Sequence, residues 1–397
     1  MPTFRAPGLT RFSGLILLLI SWFVTRGVLL ADSFSGSIPL DVVAYSKWAK
    51  ELVAGASPAL DTGFVYPPGS SLVFLAPNFL PEDFYFRGFT LLAAFADLLV
   101  LISLWAFVRK SPDRSFLAPW AWVIMGFAAG PLMYQRYDIF AALLGVLAVL
   151  AISKPALSSG LAGIGFLVKL WPEIALLGLP RDRLVRGLIT NVVVIIGGWA
   201  ILQLMFGSSL AFLSNVVNKG LSVEAVGAYP FLVARAIFGS HIVTGQFGSW
   251  EVIGSGVSLV ATLSTVVGVL LLIGILILRV RGRLESVPPG DVVLLGVLIF
   301  VASHKINSLQ YGVWIAAMAA AALAFAGSRA LGPSVLLTLM LFVADHVIWT
   351  NFVSFISGNP LMLAYQGLRL ALLLAAVFWL TWAILRPTSK APLSASE

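Results

Sequence analysis

Apolar runs long enough to cross a lipid bilayer recur along the whole of this 397-residue chain. A helix that spans the hydrocarbon core needs about 20 predominantly apolar residues, and the run from Ser13 to Ala31 is the first of this kind. Only 11% of the residues are charged and 59% are hydrophobic, which excludes a water-soluble fold. The runs are continuous rather than short and alternating, which excludes a transmembrane β-barrel. The sequence therefore predicts an all-α polytopic membrane protein forming a single domain over residues 1–397.

Lysine and arginine residues set the predicted orientation, because they are enriched in cytoplasmic loops. With both termini in the cytoplasm, the basic clusters at Arg109–Arg114, Arg181–Arg186 and Arg279–Arg283 all face inward. The net charge of +8 therefore indicates a membrane topology and not a nucleic-acid partner. We predict about twelve spans, near residues 13–31, 86–108, 116–133, 138–153, two short runs within 156–180, 187–206, 254–278, 290–303, 311–326, 331–350 and 362–385.

This topology leaves two large outer segments, 32–84 and 207–250, and a short cytoplasmic tail at 387–397. It depends on residues 156–180, which we interpret as a hairpin of two short helices. If this stretch crossed the membrane once, every later loop would invert and two basic clusters would face outward. The hairpin is therefore the preferred interpretation.

The stretch Ile38–Gly55, "IPLDVVAYSKWAKELVAG", predicts an amphipathic helix in the first outer segment. Asp41, Tyr45, Trp48 and Leu52 would share one stripe of this helix. We expect it to lie flat at the interface with its aromatic rings in the headgroup layer. Asp41 falls in the first turn, where an aspartate often only caps a helix, so a structural role and a functional role both stay open.

Further polar groups fall in the outer loops, and an ionisable residue held near lipid is a functional candidate by default. "GFVYPPGSSLVFLAP" carries Tyr66 before a short segment that dips into the outer leaflet, or is an ordinary loop-to-helix junction. "YQRYDIF" places Arg136 beside Asp138, which could be a local ion pair at a helix end. Lys169 lies at the tip of the predicted hairpin, where it could simply extend toward the interface.

The densest polar cluster at membrane level lies in "VASHKINSLQYGVW", between two predicted spans. A plain solvated turn is the alternative, but the polar run continues into an aromatic span entry. Asp345 and His346, near the end of a later span, are interpreted as a buried structural pair. The cluster's polar residues are Ser303, His304, Lys305, Asn307, Ser308, Gln310 and Tyr311.

Several kinds of chemistry are not indicated. The three histidines are far apart and lack metal-ligand spacing, so no metal is expected. Cysteine is absent, so neither a disulfide nor a thiolate site can form. No phosphate-binding P-loop motif and no catalytic serine arrangement is present. We expect no cofactor.

Four stretches together resemble the GT-C glycosyltransferases, and more narrowly glycosyltransferase family 87, the bacterial mannosyl- and arabinofuranosyltransferases of cell-envelope glycolipids. They are "LDVVAYSKWAKELVAGASP", "FVYPPGSSLVFL", "RYDIFAALLG" and "SHKINSLQYGVW". The resemblance implies a GT-C-like bundle of helices with the catalytic aspartate in the first outer segment, which matches Asp41. Asp32 and Asp61 are nearby alternatives, ranked lower because neither begins the helix that carries the tyrosine and tryptophan stripe. The second acidic position of such enzymes matches Asp138. The sequence has Ser303-His304-Lys305 where some family mannosyltransferases carry paired histidines, so the acceptor does not transfer from the resemblance.

The resemblance also implies the partners. These are a polyprenyl-phosphate sugar donor, a glycolipid or polysaccharide acceptor, and the bilayer of the plasma membrane, with the site on the outer face. Mannose is the expected sugar and arabinofuranose the alternative. Asp41 would act as general base in one inverting displacement. The other candidate residues would bind the donor phosphate or the substrates: Lys305, His304, Lys169, Arg136, Arg26, Asp138, Gln310, Tyr311, Tyr45 and Tyr66.

Two other classes of function remain open at this stage. A transporter or flippase of lipid-linked sugars would need polar residues along a path through the bilayer. The polar groups here gather in the outer loops instead. A non-catalytic scaffold of an envelope-synthesis complex is the third possibility.

Overall fold

The computed structural model describes residues 11–36, 38–57, 64–207, 210–246 and 248–386. The predicted tail, 387–397, lies outside the described residues, as do 37, 58–63, 208, 209 and 247 within the predicted outer segments. The helices are α1 (Arg11–Ser35), α2 (Leu40–Val53), α3 (Ser70–Leu75), α4 (Tyr85–Val108), α5 (Leu117–Ala128), α6 (Leu132–Gln135), α7 (Asp138–Leu150), α8 (Pro155–Val168), α9 (Leu184–Phe206), α10 (Phe212–Asn218), α11 (Tyr229–Phe238), α12 (Val257–Val280), α13 (Pro289–Ser303), α14 (Gly312–Leu323), α15 (Leu331–Phe342), α16 (Phe352–Ile356) and α17 (Pro360–Leu385).

Short helical segments of other pitch connect these helices. The 3₁₀ segments are Ala76–Phe79, Glu82–Phe84, Trp171–Gly178, Arg181–Arg183, Val226–Ala228 and Leu309–Tyr311. A π-helical segment, Val343–Trp349, continues α15. Together, α15 and this segment form one helical unit of spanning length.

Six helices in the described part of the chain are long and apolar enough to cross a membrane. Their outer surfaces expose large apolar side chains, such as Leu204 of α9 at 88% and Phe378 of α17 at 72%. A water-soluble surface does not carry such long apolar faces, whereas a helix in contact with lipid does. The six spans are Gly14–Ser35, Glu82–Val108, Arg181–Phe206, Val257–Val280, Leu331–Trp349 and Pro360–Leu385.

The predicted number of about twelve crossings is not confirmed. Four of the predicted spans correspond to α5, α7, α13 and α14, which have 12 to 15 residues each. A helix of 12 residues is about 18 Å long, and the hydrocarbon core is about 30 Å thick. These elements are short helices at the centre of the bundle, and their length alone does not make them crossings.

Helix α14 forms the centre of the bundle, because every one of its residues is buried. It packs against α5, α7 and α13, and its run of small side chains at Ala319–Ala322 allows close approach. A Cβ added to Gly290 of α13 would lie 2.6 Å from the Cα atom of Ala322, which shows how tightly these two helices pack.

Residues 155–178 form the predicted hairpin, with α8 as one arm and the segment Trp171–Gly178 as the other. At one end, the hydroxyl of Ser158 donates to the carbonyl of Ala148 at 2.8 Å. At the other end, Nζ of Lys169 donates to Asp138 at 2.6 Å. The chain then returns to its starting end, where Arg183 donates to the carbonyl of Ser153 at 3.0 Å. Lys169 therefore lies at the tip, as the hairpin required.

A small antiparallel sheet corrects the all-α prediction. Its strands are β1 (Leu221–Ser222), β2 (Ile242–Gln246) and β3 (Ser249–Ile253), in the order β1-β3-β2. The second outer segment contains β-branched and aromatic residues that favour strands, although the strands are too short for periodicity to reveal. The amide of Ser222 donates to the carbonyl of Lys305 at 2.9 Å, so the sheet anchors this segment to the turn that follows α13.

The two ends of the bundle differ in character. One end, which we call the site end, contains the loops at 129–138, 169–170, 210–256, 304–311 and 350–359. The opposite end, which we call the basic end, contains the loops at 109–116, 151–154, 181–183, 281–288 and 324–330. Arg329 is anchored at the basic end, where it donates to the carbonyl of Ala383 at 2.6 Å.

Candidate functional site

Asp41 is the first residue of the site in chain order. Helix α2 follows Pro39, and Asp41 is its second residue. Its carboxylate forms an ion pair with Arg136, and the two side chains are 28% and 12% exposed. This long-range partner distinguishes Asp41 from an aspartate that only caps its own helix. The structure thus brings together two residues that the sequence analysis predicted in separate loops.

The aromatic residues of α2 point into the protein and not into the headgroup layer as expected. Tyr45 is fully buried and stacks on Phe74 of α3, with ring centroids 4.3 Å apart. Trp48 is 5% exposed and contacts Phe64 edge-on. Burying these rings stabilises the fold more than an interfacial position would, because each aromatic side chain removes a large apolar area from water. The stripe therefore fixes α2, and with it Asp41, against the bundle.

Arg136 lies between α6 and α7 in an extended conformation. Its guanidinium carbon is 5.6 Å from the ring centre of Trp349, within cation–π range. Burial lowers the pKa of Arg136 to about 10, while the negative charges of Asp138 and Glu224 act in the opposite direction. Arg136 therefore stays protonated at neutral pH.

Asp138 and Lys169 form a second ion pair beside the first. Oδ1 of Asp138 accepts from Nζ of Lys169 at 2.6 Å and from Nε1 of Trp314 at 2.7 Å. Oδ2 of Asp138 is buried and has no hydrogen-bond partner among the described residues. Burial lowers the pKa of Lys169, and the adjacent Asp138 carboxylate opposes this shift. One carboxylate oxygen thus remains available inside an enclosed site.

An aromatic wall surrounds the Lys169 ammonium group. Nζ lies 4.5 Å from the ring centre of Tyr137, 4.9 Å from that of Trp314 and 5.6 Å from that of Tyr311. Tyr311 and Trp314 stack with their centroids 3.7 Å apart. Tyr66 extends the wall toward α2, since its ring is 5.0 Å from Tyr137 and 6.1 Å from Tyr45. Rings in this arrangement can pack on the apolar face of a substrate while nearby charges bind its polar groups.

The loop that carries Tyr66 is anchored directly beside Lys169. The amide of Gly69 donates to the carbonyl of Leu167 at 2.8 Å. A Cβ on Gly69 would lie 2.6 Å from that same oxygen, so no larger residue fits without movement. The predicted dip into the leaflet is therefore a short helix, α3, held against the end of α8.

Lys305 lies in a neighbouring part of the same end. Its Nζ donates to the carbonyls of Val217 at 3.1 Å and Lys219 at 2.5 Å. Lys305 and Lys219 line one end of a cavity of about 730 Å³, together with Glu251. The cavity continues along α12 past Ser258, Thr262 and Thr265. Its lining therefore changes from charged at the loops to hydroxyl-bearing and apolar along a membrane helix.

Burial lowers the pKa of the basic groups in this part of the site. The pKa of Lys219 falls to about 8, mainly because the side chain is buried. The negative charges of Glu251 and Glu224 raise this pKa, and the positive charges of Lys169 and Lys305 lower it further. Burial also lowers the pKa of Lys305 and of His304. His304 is held within its own turn, because its Nδ1 lies 2.7 Å from the carbonyl oxygen of Ile306.

Gln310 and Tyr311 lie in the turn that leads into α14. Gln310 is half-buried in the 3₁₀ segment Leu309–Tyr311, and Tyr311 joins the aromatic wall. All the predicted site residues except Arg26 thus lie at the site end.

Arg26 does not fit its predicted role as a phosphate ligand. Its side chain is 1% exposed, and its Nε donates to Asp97 of α4 at 3.0 Å. Its other nitrogens donate to the carbonyls of Val123 at 2.7 Å and Trp122 at 3.0 Å. The guanidinium group is therefore occupied in a network that joins α1, α4 and α5. A lone arginine in an apolar run marks a partner within the bundle as readily as a ligand.

The sequence analysis missed several residues at this end. Glu224 is 8% exposed, and burial raises the pKa of its carboxyl group. Its backbone carbonyl accepts from Gln366 at 3.1 Å and from Arg369 of α17 at 3.0 Å. Arg369 also donates to Oδ1 of Asn307 at 2.8 Å. Two signals were present, since Arg369 is an arginine within an apolar run and Glu224 is the single acidic residue of 207–250.

Comparison with known proteins identifies a family that fits this site. A family model for glycosyltransferase family 87 matches residues 64–303, which is more than half of the chain. The match includes Arg136, Asp138 and Lys169, while Asp41 precedes it and Trp314 follows it. A search of curated proteins found no match.

Proposed function

Because the chain belongs to glycosyltransferase family 87 and is a membrane-embedded glycosyltransferase, we propose that it transfers mannose from a polyprenyl-phosphate carrier to a hydroxyl group of an envelope glycolipid or polysaccharide. The observation that carries this proposal is the pairing of two carboxylates with two cations at the site end. Asp41 pairs with Arg136, and Asp138 pairs with Lys169. The site thus offers a base for a hydroxyl group and cations for a phosphate.

Asp41 acts as the general base in this mechanism. It removes the proton from the acceptor hydroxyl as that oxygen attacks the anomeric carbon. The bond between the anomeric carbon and the phosphate oxygen breaks, and the phosphate leaves with the electron pair. Phosphate is a good leaving group, so no general acid is required. The configuration at the anomeric carbon inverts, because attack and departure occur on opposite faces.

The donor phosphate requires cations at the site end. Lysine acts as a point charge on a phosphate, and arginine can bind it through two nitrogens. Lys305 and Lys219 line the charged end of the cavity beside α12, and Lys169 and Arg136 lie in the aromatic part of the site. These four cations support a path for the phosphate from the cavity to Asp41. The hydroxyl-bearing and apolar side of α12 suits the polyprenyl chain.

The aromatic wall supports a role in sugar binding. Tyr45, Tyr66 and Tyr137 form one aromatic cluster, and Tyr137 and Tyr311 lie beside Lys169. The hydroxyl of Tyr137 is buried and has no hydrogen-bond partner among the described residues. Buried hydroxyl groups normally have partners. The hydroxyl groups of a sugar would supply them.

The distribution of basic residues supports an active site on the outer face of the plasma membrane. The basic end contains Arg109, Lys110, Arg114, Lys154, Arg181, Arg183, Arg281, Arg283 and Arg329. By the positive-inside rule this end faces the cytoplasm. The site end then faces outward, where envelope polymers are assembled.

A transfer assay tests the proposal. The purified protein is incubated with polyprenyl-phosphate mannose and a lipid acceptor, and the glycolipid product is measured by mass spectrometry. Polyprenyl-phosphate arabinofuranose in a parallel reaction tests the alternative sugar. Transfer of neither sugar to any acceptor, combined with movement of the carrier across vesicles, would replace the enzyme proposal with a flippase.

A further inference from the structure

The segment Val343–Trp349 departs from α-helical geometry. The amide of Thr350 donates to the carbonyl of Asp345 at 3.4 Å, a bond one residue longer than that of an α-helix. Such π-helical turns are rare and are frequent at functional sites. The segment lies beyond residue 303, where the family match ends.

Asp345 holds the start of the short helix that leads to Arg136. Its carboxylate packs against Gly130, two residues before Leu132, the first residue of α6, and lies near the Leu132 backbone amide. Gly130, with φ of +65°, makes room for this contact. A Cβ on Gly130 would lie 1.5 Å from Oδ2 of Asp345, so a larger residue cannot fit there. Asp345 is 3% exposed. Burying a carboxylate within an apolar span costs free energy, so such a residue is a functional candidate by default.

Trp349 holds the other end of the same stretch. Its ring centre is 5.6 Å from the guanidinium carbon of Arg136. Residues 345 and 349 are four positions apart and so lie close to one face of their helix. Between them, Nε2 of His346 lies 3.0 Å from the carbonyl oxygen of Phe127, at the end of α5. The π-helical segment therefore contacts the end of α5, the start of α6 and Arg136.

These contacts matter because α6 is only four residues long and is followed by an extended Arg136. A helix of one turn has little stability of its own, so its neighbours must set the direction of Arg136. We propose that Asp345 and Trp349 are positioning residues that hold the Arg136 guanidinium in place against Asp41. The effect on transfer rests on the proposed function, whereas the effect on the Leu132–Arg136 stretch does not.

The experiment compares disruptive variants with conservative ones in the full-length protein. Asp345→Ala removes the carboxylate that packs against Gly130 beside the Leu132 amide, and Asp345→Asn keeps a carbonyl oxygen in its place. Trp349→Leu removes the aromatic face, and Trp349→Phe keeps one. Trp382→Leu is the matched control, because Arg386 stacks on Trp382 with its guanidinium carbon 3.5 Å from the ring centre, at the basic end.

Two measurements are made on each variant. Hydrogen exchange of the peptide covering 132–137 reports directly on the stretch, and steady-state kinetics give KM for the donor, KM for the acceptor and kcat. We expect both disruptive variants to raise exchange in 132–137 and to lower kcat/KM for the donor by about 10- to 100-fold, because small displacements of a binding group are costly. Most of this loss should be in the donor KM. The conservative variants should recover most of the activity, and the Trp382 control should match the wild type.

Two outcomes would overturn the inference. The first is unchanged exchange in 132–137 for both Asp345→Ala and Trp349→Leu. The second is a loss of activity that appears equally in donor KM, acceptor KM and kcat, without recovery in Asp345→Asn and Trp349→Phe. If the wild-type protein transfers no sugar, the proposed function fails, and the exchange measurement alone still decides whether the π-helical segment holds this stretch.

Discussion

The carboxylate of Asp41 and the guanidinium group of Arg136 form an ion pair that joins the first turn of α2 to the α6–α7 connection. The pair is only partly exposed, so little water competes for either group. In the proposed reaction, the donor phosphate is a second anion that would compete with Asp41 for the same guanidinium. We therefore interpret the pair as the state before the donor binds. Arrival of the phosphate would release the carboxylate toward the acceptor.

Replacement of Asp41 tests the role of the base. Asp41→Asn should lower kcat by about a hundredfold to ten-thousandfold, the usual loss when a positioned base is removed. Asp32→Asn is a matched control, because Asp32 is an exposed aspartate near the end of α1 and has no assigned role. Initial rates with a saturating donor measure the effect. A folded Asp41→Asn protein with nearly full activity would remove Asp41 from the mechanism.

Lys219 should give donor binding a pH dependence. Burial lowers the pKa of Lys219 to about 8, so its charge is present below this pH and is lost as the pH rises through it. A phosphodiester keeps its negative charge over this range. The donor KM of the wild type should therefore rise between about pH 7 and pH 9.

The matched variants for this prediction are Lys219→Arg and Lys110→Arg. Arginine stays protonated over this range, so Lys219→Arg should flatten the rise in donor KM. Lys110 is exposed at the basic end, and its replacement should leave the profile unchanged. A wild-type donor KM that is constant across this pH range would show that Lys219 does not bind the phosphate.

The Asp138–Lys169 pair should behave as a coupled unit in stability. The side chains are 0% and 11% exposed, so removal of one partner leaves the other charge buried without its counter-ion. Asp138→Asn or Lys169→Met alone should lower the free energy of unfolding by about 3–5 kcal/mol. The double variant should cost less than the sum of the two. Thermal unfolding in one detergent measures all four proteins, and strictly additive losses would contradict the coupling.

The Arg26–Asp97 network should contribute to stability and not to donor binding. Asp97 accepts from Trp22, Arg26, Trp122 and Tyr134, all of them buried. Asp97→Asn leaves the buried Arg26 without a counter-charge and should cost about 3–5 kcal/mol. The donor KM of the folded fraction should stay at the wild-type value. A large rise in donor KM without a loss of stability would restore Arg26 as a candidate phosphate ligand.

Local patterns in the sequence predicted a large part of the site. The amphipathic pattern of residues 38–55 indicated α2, and "VKLWP" between two short apolar runs indicated a hairpin with Lys169 at its tip. The positive-inside rule, applied to the basic loops, placed Asp41, Arg136 and Lys305 at one end of the bundle. Each of these inferences uses residues that are close in sequence, so a local pattern was enough to predict the feature.

The remaining features depend on contacts between distant segments. Nothing near Arg26 indicates that Asp97 is its partner, because these residues meet only after α1 packs on α4. Trp349 reaches Arg136 through a π-helical turn that has no recognised sequence pattern. Helices as short as α5 and α14 resemble spans in hydropathy, although their observed ends leave them shorter than the hydrocarbon core. These features arise from three-dimensional packing, and no local sequence pattern predicts them.

The cavity beside α12 bears on the route by which the proposed lipid-linked donor would reach the site. It runs along a membrane helix on which Leu259 and Leu263 are more than half exposed, so the long-chain carrier of the proposed reaction would reach Lys219 and Lys305 from within the lipid. Encounter then occurs by lateral diffusion in two dimensions. Occupancy depends on the mole fraction of carrier among the lipids, and dilution of the aqueous phase leaves it unchanged. Added detergent should slow such a reaction through surface dilution alone.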